Sequence, residues 1–144
     1  MRGHTRVVAL VLVAALALSG VAAGLSVLLG SDDPSTASSQ VASPDVVRDR
    51  LVAGAIVLDV RTPEEYGAEH VTGAVSADLE GGAFDGVVAD LPRDASYVVY
   101  CATGRRAAIA VDRMLDAGFT EVVNAGGLED MTALGATTTG TTDG

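Results

Sequence analysis

The fold is decided by the stretch Tyr97-Val98-Val99-Tyr100-Cys101-Ala102-Thr103-Gly104-Arg105-Arg106. Its first half is a continuous apolar run, which is typical of a buried strand. The polar loop that follows leads into a pattern of helical spacing over 106–117, and Gly118 is suited to end that helix. Cys101 therefore lies at a turn from strand to helix. Open α/β folds bind their ligands at such carboxyl edges of the sheet.

Cys101 is the single cysteine of the chain, and its position favours a nucleophile. The predicted helix directs its unsatisfied N–H groups and the positive end of its dipole toward the sulfur. Arg105 and Arg106 add two guanidinium groups nearby. Both environments stabilise a thiolate, the reactive form of cysteine. Most free cysteines are small buried apolar residues, and it is the loop that favours the reactive interpretation here.

Strands and helices are predicted to alternate on both sides of this loop. Short apolar runs predict strands, and these lie at 56–60, 74–76, 97–100 and 121–123. Helical spacing and capping residues predict helices at 43–53, 84–90, 106–117 and 128–134, with a further helix starting at Thr62. Thr62 and Glu65 have the spacing of a capping box. This alternation predicts an α/β domain with a mainly parallel central sheet and helices on both faces.

Three blocks of the chain resemble the rhodanese family of sulfurtransferases. They are Leu58-Asp59-Val60-Arg61-Thr62-Pro63-Glu64-Glu65-Tyr66 with Glu69-His70-Val71-Thr72-Gly73-Ala74, the loop Cys101–Arg106, and Asn124-Ala125-Gly126-Gly127-Leu128. The blocks stand in the family's order, and the resemblance covers residues 43–135. It implies the same α/β fold and a rhodanese-type sulfurtransferase of the kind that uses thiosulfate.

The resemblance also implies a mechanism and a set of site residues. Cys101 would attack the outer sulfur of a small anionic donor such as thiosulfate, expel sulfite and become a persulfide. A thiol, cyanide or a protein cysteine would then accept the sulfur. Backbone N–H groups of the loop would bind the anionic persulfide. The predicted substrate-binding residues are Ala102, Thr103, Gly104, Arg105 and Arg106.

We expect different roles for the two loop arginines and for the pair of Asp59 and Arg61. By the resemblance, Arg106 matches the family's usual loop arginine and braces the loop, whereas Arg105 faces the pocket mouth and binds the donor's oxyanion. Asp59 and Arg61, at the end of a strand, are predicted to support the site. We expect them to form an ion pair or to hydrogen-bond the loop backbone, rather than to shape the pocket floor.

Three residues depart from the family's pattern. Thr72 stands where a proline usually precedes Gly73, Met131 replaces a common tryptophan, and Ala102 replaces a side chain that is often polar or charged. The first two substitutions concern packing, since a wide aromatic is exchanged for a flexible methionine. The third bears on which donor is bound.

Two other functional classes fit part of the pattern. Phosphatase-like and arsenate-reductase-like enzymes also use a cysteine loop followed by arginine, but their loops hold one residue more than the four between Cys101 and Arg106. The shorter loop favours a sulfur atom over a tetrahedral phosphate. A non-catalytic rhodanese-like module, which carries sulfur or binds a partner, is a further alternative. The chain has neither a zinc-ligand spacing nor a phosphate-binding loop, so we predict no metal and no cofactor.

Residues 1–30 are predicted to be a signal peptide or a transmembrane anchor. Arg2 and Arg6 precede a stretch from Val7 to Ser31 without charges, long enough for a spanning hydrophobic helix of ~20 residues. Small residues within the stretch also fit a cleavage site. We expect a location at the cell membrane, with a single anchor and the domain facing outward. A secreted or periplasmic location after cleavage is the alternative.

The charge of the chain beyond Gly30 limits the kinds of partner that it can bind. Beyond Gly30 it carries all 19 acidic residues but only 7 of the 9 basic ones, a net charge of −12. Nucleic acid is therefore not an expected partner, because phosphate binding needs a basic surface.

Residues 31–42 are predicted to be a flexible linker and residues 136–144 a disordered tail. A domain of this size buries one modest core, and we expect a monomer.

Overall fold

The structure is a computed structural model and describes residues 38–141. Strands and helices alternate along this part of the chain. The strands are β1 (Ser38–Val41), β2 (Ile56–Asp59), β3 (His70–Val71), β4 (Val75–Ser76), β5 (Ser96–Cys101), β6 (Glu121–Gly127) and β7 (Thr138–Thr139). The helices are α1 (Pro44–Val52), α2 (Pro63–Ala68), α3 (Ala83–Ala89), α4 (Arg105–Asp116) and α5 (Leu128–Ala133).

The main sheet has the strand order β1-β6-β5-β2-β4, and every neighbouring pair in it is parallel. β5 lies at its centre, where Asp59 of β2 is opposite Tyr100. On the other side of β5, Cys101 is opposite Gly127 of β6. The predicted α/β fold with a mainly parallel sheet is confirmed, and so is the position of Cys101 at the carboxyl edge.

Side chains of β5 alternate between two apolar cores. Tyr97, Val99 and Cys101 lie in the core that includes residues of α3 and α4. Val98 and Tyr100 lie in the core that includes residues of α1 and α5. Helices therefore cover both faces, as a buried parallel sheet requires. Because successive side chains of a strand point to opposite faces, Cys101 and Tyr100 are separated by the sheet although they are neighbours in sequence.

The predicted capping box at the start of α2 is present. The Thr62 hydroxyl accepts a hydrogen bond from the Glu65 N–H at 3.3 Å, and the Thr62 N–H donates to Glu65 Oε2 at 3.0 Å. Pro63 occupies the first turn, where its missing N–H removes no helical hydrogen bond. The cap fixes the backbone that carries Glu65 just beyond the carboxyl end of β2.

The prediction of a flexible linker is wrong for residues 38–41. These residues form β1, with Ser38 opposite Val123 and Val41 opposite Asn124 of β6. The Ala42 N–H continues the pairing by donating to the Asn124 carbonyl at 2.8 Å. The segment Ser38-Ser39-Gln40-Val41 has no apolar alternation, so nothing in its own pattern predicts a strand. Its partner strand determines its conformation.

The prediction of a disordered tail is wrong for residues 136–141. Thr138–Thr139 forms β7, which pairs antiparallel with β3. The Thr72 N–H donates to the Thr137 carbonyl at 2.8 Å, and the Thr141 N–H donates to the Gly67 carbonyl at 3.1 Å. A tail rich in threonine and glycine lacks the apolar residues that signal order in a sequence. Here backbone hydrogen bonds to a distant strand order it.

The predicted N-terminal hydrophobic helix and the last three residues of the predicted tail lie outside the described residues. Within residues 38–141, none of the helices has the length and apolar character needed to cross a membrane.

Candidate active site

Cys101 is the last residue of β5, and only 1% of its surface is exposed. The Gly104 N–H donates a hydrogen bond to its sulfur, with 3.0 Å between N and Sγ. Gly104 has a φ of 90° and stands directly before α4. This left-handed conformation favours glycine, because a Cβ would strain it. The turn thus brings the N-terminus of α4 to the sulfur.

The Gly126-Gly127 pair gives the cysteine loop the room it needs. A Cβ on Gly127 would collide with the carbonyl oxygen of Ala102, and a Cβ on Gly104 would lie 3.2 Å from the Cα of Gly126. The backbone of the loop therefore packs directly against the backbone of β6. This contact explains why the third sequence block, distant along the chain, belongs to the same site.

The loop covers the Cys101 sulfur, while some residues of the loop are themselves exposed to solvent. Ala102, Thr103 and Arg105 are exposed, whereas Gly104 is buried and Arg106 is partly buried. The structure brings all six residues of the predicted site loop together, and their roles toward substrate stay predictions.

Arg106 is held by two carboxylates. Its Nη1 and Nη2 donate to the two oxygens of Glu65 at 2.7 and 2.8 Å, and Nη1 also donates to Glu80 Oε2 at 3.0 Å. Hydrogen bonding from Arg106 lowers the pKa of Glu65 to about 2. The hydrogen bonds to Glu65 raise the pKa of the Arg106 guanidinium above its usual range. Arg106 joins α4 to α2 and to the loop after β4, as a bracing residue does.

Arg105 differs from the other six arginines of residues 38–141. Each of those six has a carboxylate or carbonyl partner: Arg48, Arg50, Arg61, Arg93, Arg106 and Arg113. The Arg105 guanidinium is exposed and has no hydrogen bond or ion pair within the part of the chain that the structure describes. Two residues of the loop thus carry a guanidinium, and the Arg105 guanidinium has no carboxylate partner among residues 38–141.

Asp59 and Arg61 form the ion pair expected from the sequence. Arg61 Nε and Nη2 donate to the Asp59 carboxylate at 3.0 and 2.6 Å. The Tyr100 hydroxyl donates to Asp59 Oδ2 at 2.5 Å and accepts from the Val71 N–H at 3.0 Å. Burial, reinforced by the hydrogen bond to Asp59, raises the pKa of Tyr100 above its usual range. The hydroxyl therefore remains a neutral donor.

This buried cluster supports the strand that carries Cys101. Asp59 is fully buried and Arg61 is 6% exposed. Both contact Tyr100, whose side chain lies in the core on the face of the sheet opposite Cys101. Asp59 and Arg61 thus contact β5 through Tyr100, on the face of the sheet opposite the Cys101 side chain.

The Rhodanese-like domain family model matches residues 43–134. The match includes the cysteine loop, the Asp59–Arg61 pair and the Gly126-Gly127 contact. The chain belongs to the rhodanese-like domain family. The resemblance seen in the sequence is confirmed.

Known members of the family are similar over most of this rhodanese-like domain. The thiosulfate sulfurtransferase PspE of Escherichia coli (strain K12) is 38% identical over 74 residues, which cover 51% of this chain and 71% of PspE. The thiosulfate sulfurtransferase GlpE of Pseudomonas entomophila (strain L48) is 34% identical over 85 residues, which cover 59% of this chain and 76% of GlpE. The crystal structure of the Alr3790 protein from Anabaena sp. aligns with a TM-score of 0.59 at 30% identity, covering 70% of this chain and 93% of that one. The protein is a rhodanese-type sulfurtransferase.

Several contacts of the rhodanese-like site are not evident from the sequence. Glu65 is identifiable as a capping residue, but its bond to Arg106 joins positions 41 residues apart. Glu80 has no local signal at all. Asn124, 1% exposed, hydrogen-bonds the cysteine loop from β6. A polar residue inside an apolar strand pattern is a usable signal for Asn124, because a buried amide must find partners. Within residues 38–141, no group of His, Cys, Asp or Glu side chains could hold a metal ion.

Proposed function

We propose that the protein moves sulfane sulfur from thiosulfate, or a similar small anionic donor, to a thiophilic acceptor through a persulfide on Cys101. The observation that carries the proposal is the hydrogen bond of 3.0 Å from the Gly104 N–H to the Cys101 sulfur at the N-terminus of α4. A backbone donor and a helix N-terminus favour a sulfur anion at this point.

The proposed reaction has two displacements at sulfur. The Cys101 thiolate attacks the outer sulfur of thiosulfate, the sulfur–sulfur bond of the donor breaks, and sulfite leaves with the electron pair. Cys101 then holds a persulfide with one negative charge. A thiol, cyanide or a protein cysteine attacks the outer sulfur of the persulfide, and Cys101 leaves as a thiolate. No external oxidant or reductant is needed.

The residues of the loop have distinct proposed roles. Backbone N–H groups bind the charge of the persulfide, a task for which preorganised donors are suited. The guanidinium of Arg105 binds the sulfonate oxygens of the donor, because it is the loop arginine that no carboxylate of residues 38–141 neutralises. PspE and GlpE, to which the chain is similar, are thiosulfate sulfurtransferases.

The contacts of Arg106 do not favour a phosphatase-like reaction. Its guanidinium already binds Glu65 and Glu80, and an arginine held by two carboxylates is a poor ligand for a tetrahedral dianion. The shorter loop, with four residues between Cys101 and Arg106, supports the same preference for a sulfur atom.

Intact mass spectrometry after incubation with thiosulfate tests the proposed function. We expect the protein to gain the mass of one sulfur atom and to lose it again when cyanide is added. Cys101→Ser should show no gain, because a hydroxyl is nearly isosteric but a poor nucleophile at neutral pH. A persulfide that forms but is not consumed by any added acceptor supports the alternative of a sulfur carrier. Absence of the added sulfur in the unmodified chain would overturn the proposal.

The proposed location is the cell membrane, with residues 1–30 as the anchor and the monomeric domain facing outward. The uncharged stretch from Val7 to Ser31 behind Arg2 and Arg6 supports this orientation. An anchored protein stays in the membrane fraction after a carbonate wash and keeps its amino terminus. Recovery of a soluble form that begins near Gly24 would show cleavage of a signal peptide instead, and thus a secreted or periplasmic protein.

A further inference from the structure

Asn124 is a buried amide on β6 whose polar atoms are all hydrogen-bonded. Its Nδ2 donates to the Gly104 carbonyl at 3.0 Å and to the Ser39 carbonyl at 2.8 Å. Its Oδ1 accepts from the Gly126 N–H at 2.9 Å. One side chain thus joins the cysteine loop, the edge strand β1 and the Gly126-Gly127 contact.

The bond to Gly104 fixes a peptide group of the loop. The Gly104 carbonyl belongs to the same peptide unit as the Arg105 N–H, and it also accepts from the Ala108 N–H at 2.9 Å. In a trans peptide the C=O and the N–H point in opposite directions, and residues 38–141 contain no cis peptide bond. Holding the carbonyl toward the body of α4 therefore directs the Arg105 N–H out of the helix N-terminus, where the Cys101 sulfur lies.

β1 completes this arrangement. The same Nδ2 of Asn124 binds Ser39, so the amide is held between the edge strand and the loop. Val41 also packs on the loop, since a Cβ on Gly104 would lie 3.2 Å from Val41 Cγ2. Residues that precede the family match at position 43 thus take part in orienting the cysteine loop.

We propose that Asn124 is a positioning residue for sulfur transfer. It fixes the Gly104–Arg105 peptide against β1, so that the loop N–H groups face the sulfur before a donor binds. A buried side chain with three satisfied hydrogen bonds holds one orientation, and preorganised donors stabilise developing charge without rearranging. The inference rests on the proposed persulfide function, since it concerns the charge that this function places on Cys101.

Asn124→Asp in the full chain tests the inference. Aspartate has nearly the same shape and keeps an oxygen for the Gly126 N–H, but it places an acceptor against the carbonyls of Gly104 and Ser39. We expect the rate of Cys101 persulfide formation at saturating thiosulfate to fall about tenfold, the effect of one misplaced hydrogen bond to a charged group. The half-saturating thiosulfate concentration should change less than about twofold, because Arg105 still carries its guanidinium.

Two further readouts separate positioning from mere destabilisation. In ¹H–¹⁵N spectra of Asn124→Asp, the Gly104 and Arg105 amide resonances should move. Val47→Ala is the matched control, because Val47 is 1% exposed in the core beside α1 and its loss lowers stability without touching the loop. Val47→Ala should keep both the rate and the two resonances. If Asn124→Asp does not fold, Asn124→Ala removes the same donor without adding a charge and carries the same expectations.

The outcomes distinguish this inference from the proposed function. If the unmodified chain forms no persulfide, the proposed function fails. If it does, and a folded Asn124 variant forms persulfide at the same rate, the positioning role is wrong. Equal slowing in Val47→Ala would also overturn the positioning role, because the effect would then follow stability alone.

Discussion

The Tyr100 hydroxyl lies 2.5 Å from Asp59 Oδ2 and connects β5 to the carboxylate at the end of β2. It also accepts the Val71 N–H. Asp59 is fully buried. Among the described residues, its carboxylate accepts side-chain hydrogen bonds from Arg61 and from the Tyr100 hydroxyl. The strand that ends in Cys101 is therefore anchored, one residue earlier and on the other face, by a hydrogen bond to a buried charge.

Tyr100→Phe should lower the free energy of unfolding by about 1.5 to 3 kcal/mol, because it removes a hydrogen bond to a charged group and leaves the Val71 N–H unsatisfied. Chemical denaturation measures the change. Tyr97→Phe is the matched control on the same strand: its hydroxyl donates to the neutral Pro92 carbonyl at 2.6 Å, so about 1 kcal/mol is expected. Equal losses in the two variants would contradict a special role for the Asp59 bond.

The Glu65–Arg106 ion pair should make the free energy of unfolding depend on pH in the acidic range. The pKa of Glu65 falls from 4.5 to about 2 on folding. A carboxyl group with a lowered folded pKa contributes stability that is fully present above pH 4.5 and is lost as the pH falls toward about 2. Glu65→Gln should therefore lower the free energy of unfolding near neutral pH by about 1 kcal/mol, a discounted figure because the side chain is partly exposed to solvent.

Denaturation midpoints measured from pH 7 down to pH 2 check this prediction. The difference between the unmodified chain and Glu65→Gln should shrink as the pH falls through the window set by the pKa shift. Glu64→Gln serves as the control, since Glu64 is exposed in the same first turn of α2. A difference that stays constant with pH would show that the lost contact is not the ionised carboxylate.

The parts of this fold that the sequence predicts are local. The apolar run before Cys101, the glycine after Thr103 and the helical spacing beyond Arg106 occupy one continuous stretch, so their pattern determines the turn. The capping box of Thr62 and Glu65 is equally local. The parts that could not be predicted depend on distant partners, since β1 is ordered by β6 and β7 by β3.

The same distinction holds within the site. Cys101 and its loop are evident from adjacent residues, and the family resemblance adds the expected roles of Arg105 and Arg106. The bonds from Arg106 to its carboxylates and from Asn124 to the cysteine loop become visible only when β6, α2 and the loop after β4 are brought together. Long-range hydrogen bonds carry no signal in hydrophobic periodicity, which reports only which face of an element is buried.

Thr72 has a function that the family's usual proline could not supply. Its N–H donates to the Thr137 carbonyl at 2.8 Å, and proline has no N–H. Thr72→Pro should therefore loosen residues 137–141 and cost about 1 kcal/mol. Amide hydrogen exchange in β3 and β7 measures the effect, with Thr72→Ser as the control that keeps the donor. Unchanged exchange in Thr72→Pro would mean that the other hydrogen bonds of the segment hold it without the Thr72 N–H.

Arg105 and Arg106 should respond differently to removal. Arg105→Ala should raise the KM for thiosulfate by the equivalent of ~1.5 to 3 kcal/mol, because a charge-assisted hydrogen bond to the donor is lost while the fold is not. Arg105→Lys, which keeps the charge but not the fork of donors, should recover part of the loss. Steady-state kinetics over a range of thiosulfate concentrations measures both.

Arg106→Ala should act through the fold instead. It leaves the carboxylates of Glu65 and Glu80 without their common partner, so we expect a loss of about 1 to 3 kcal/mol in unfolding free energy. Alkylation of Cys101 by iodoacetamide, a reagent that needs no anion site, should change more in this variant than in Arg105→Ala, because only Arg106 braces the loop. If Arg106→Ala selectively raises the KM for thiosulfate while Arg105→Ala leaves it unchanged, the two roles are the reverse of those argued from the contacts.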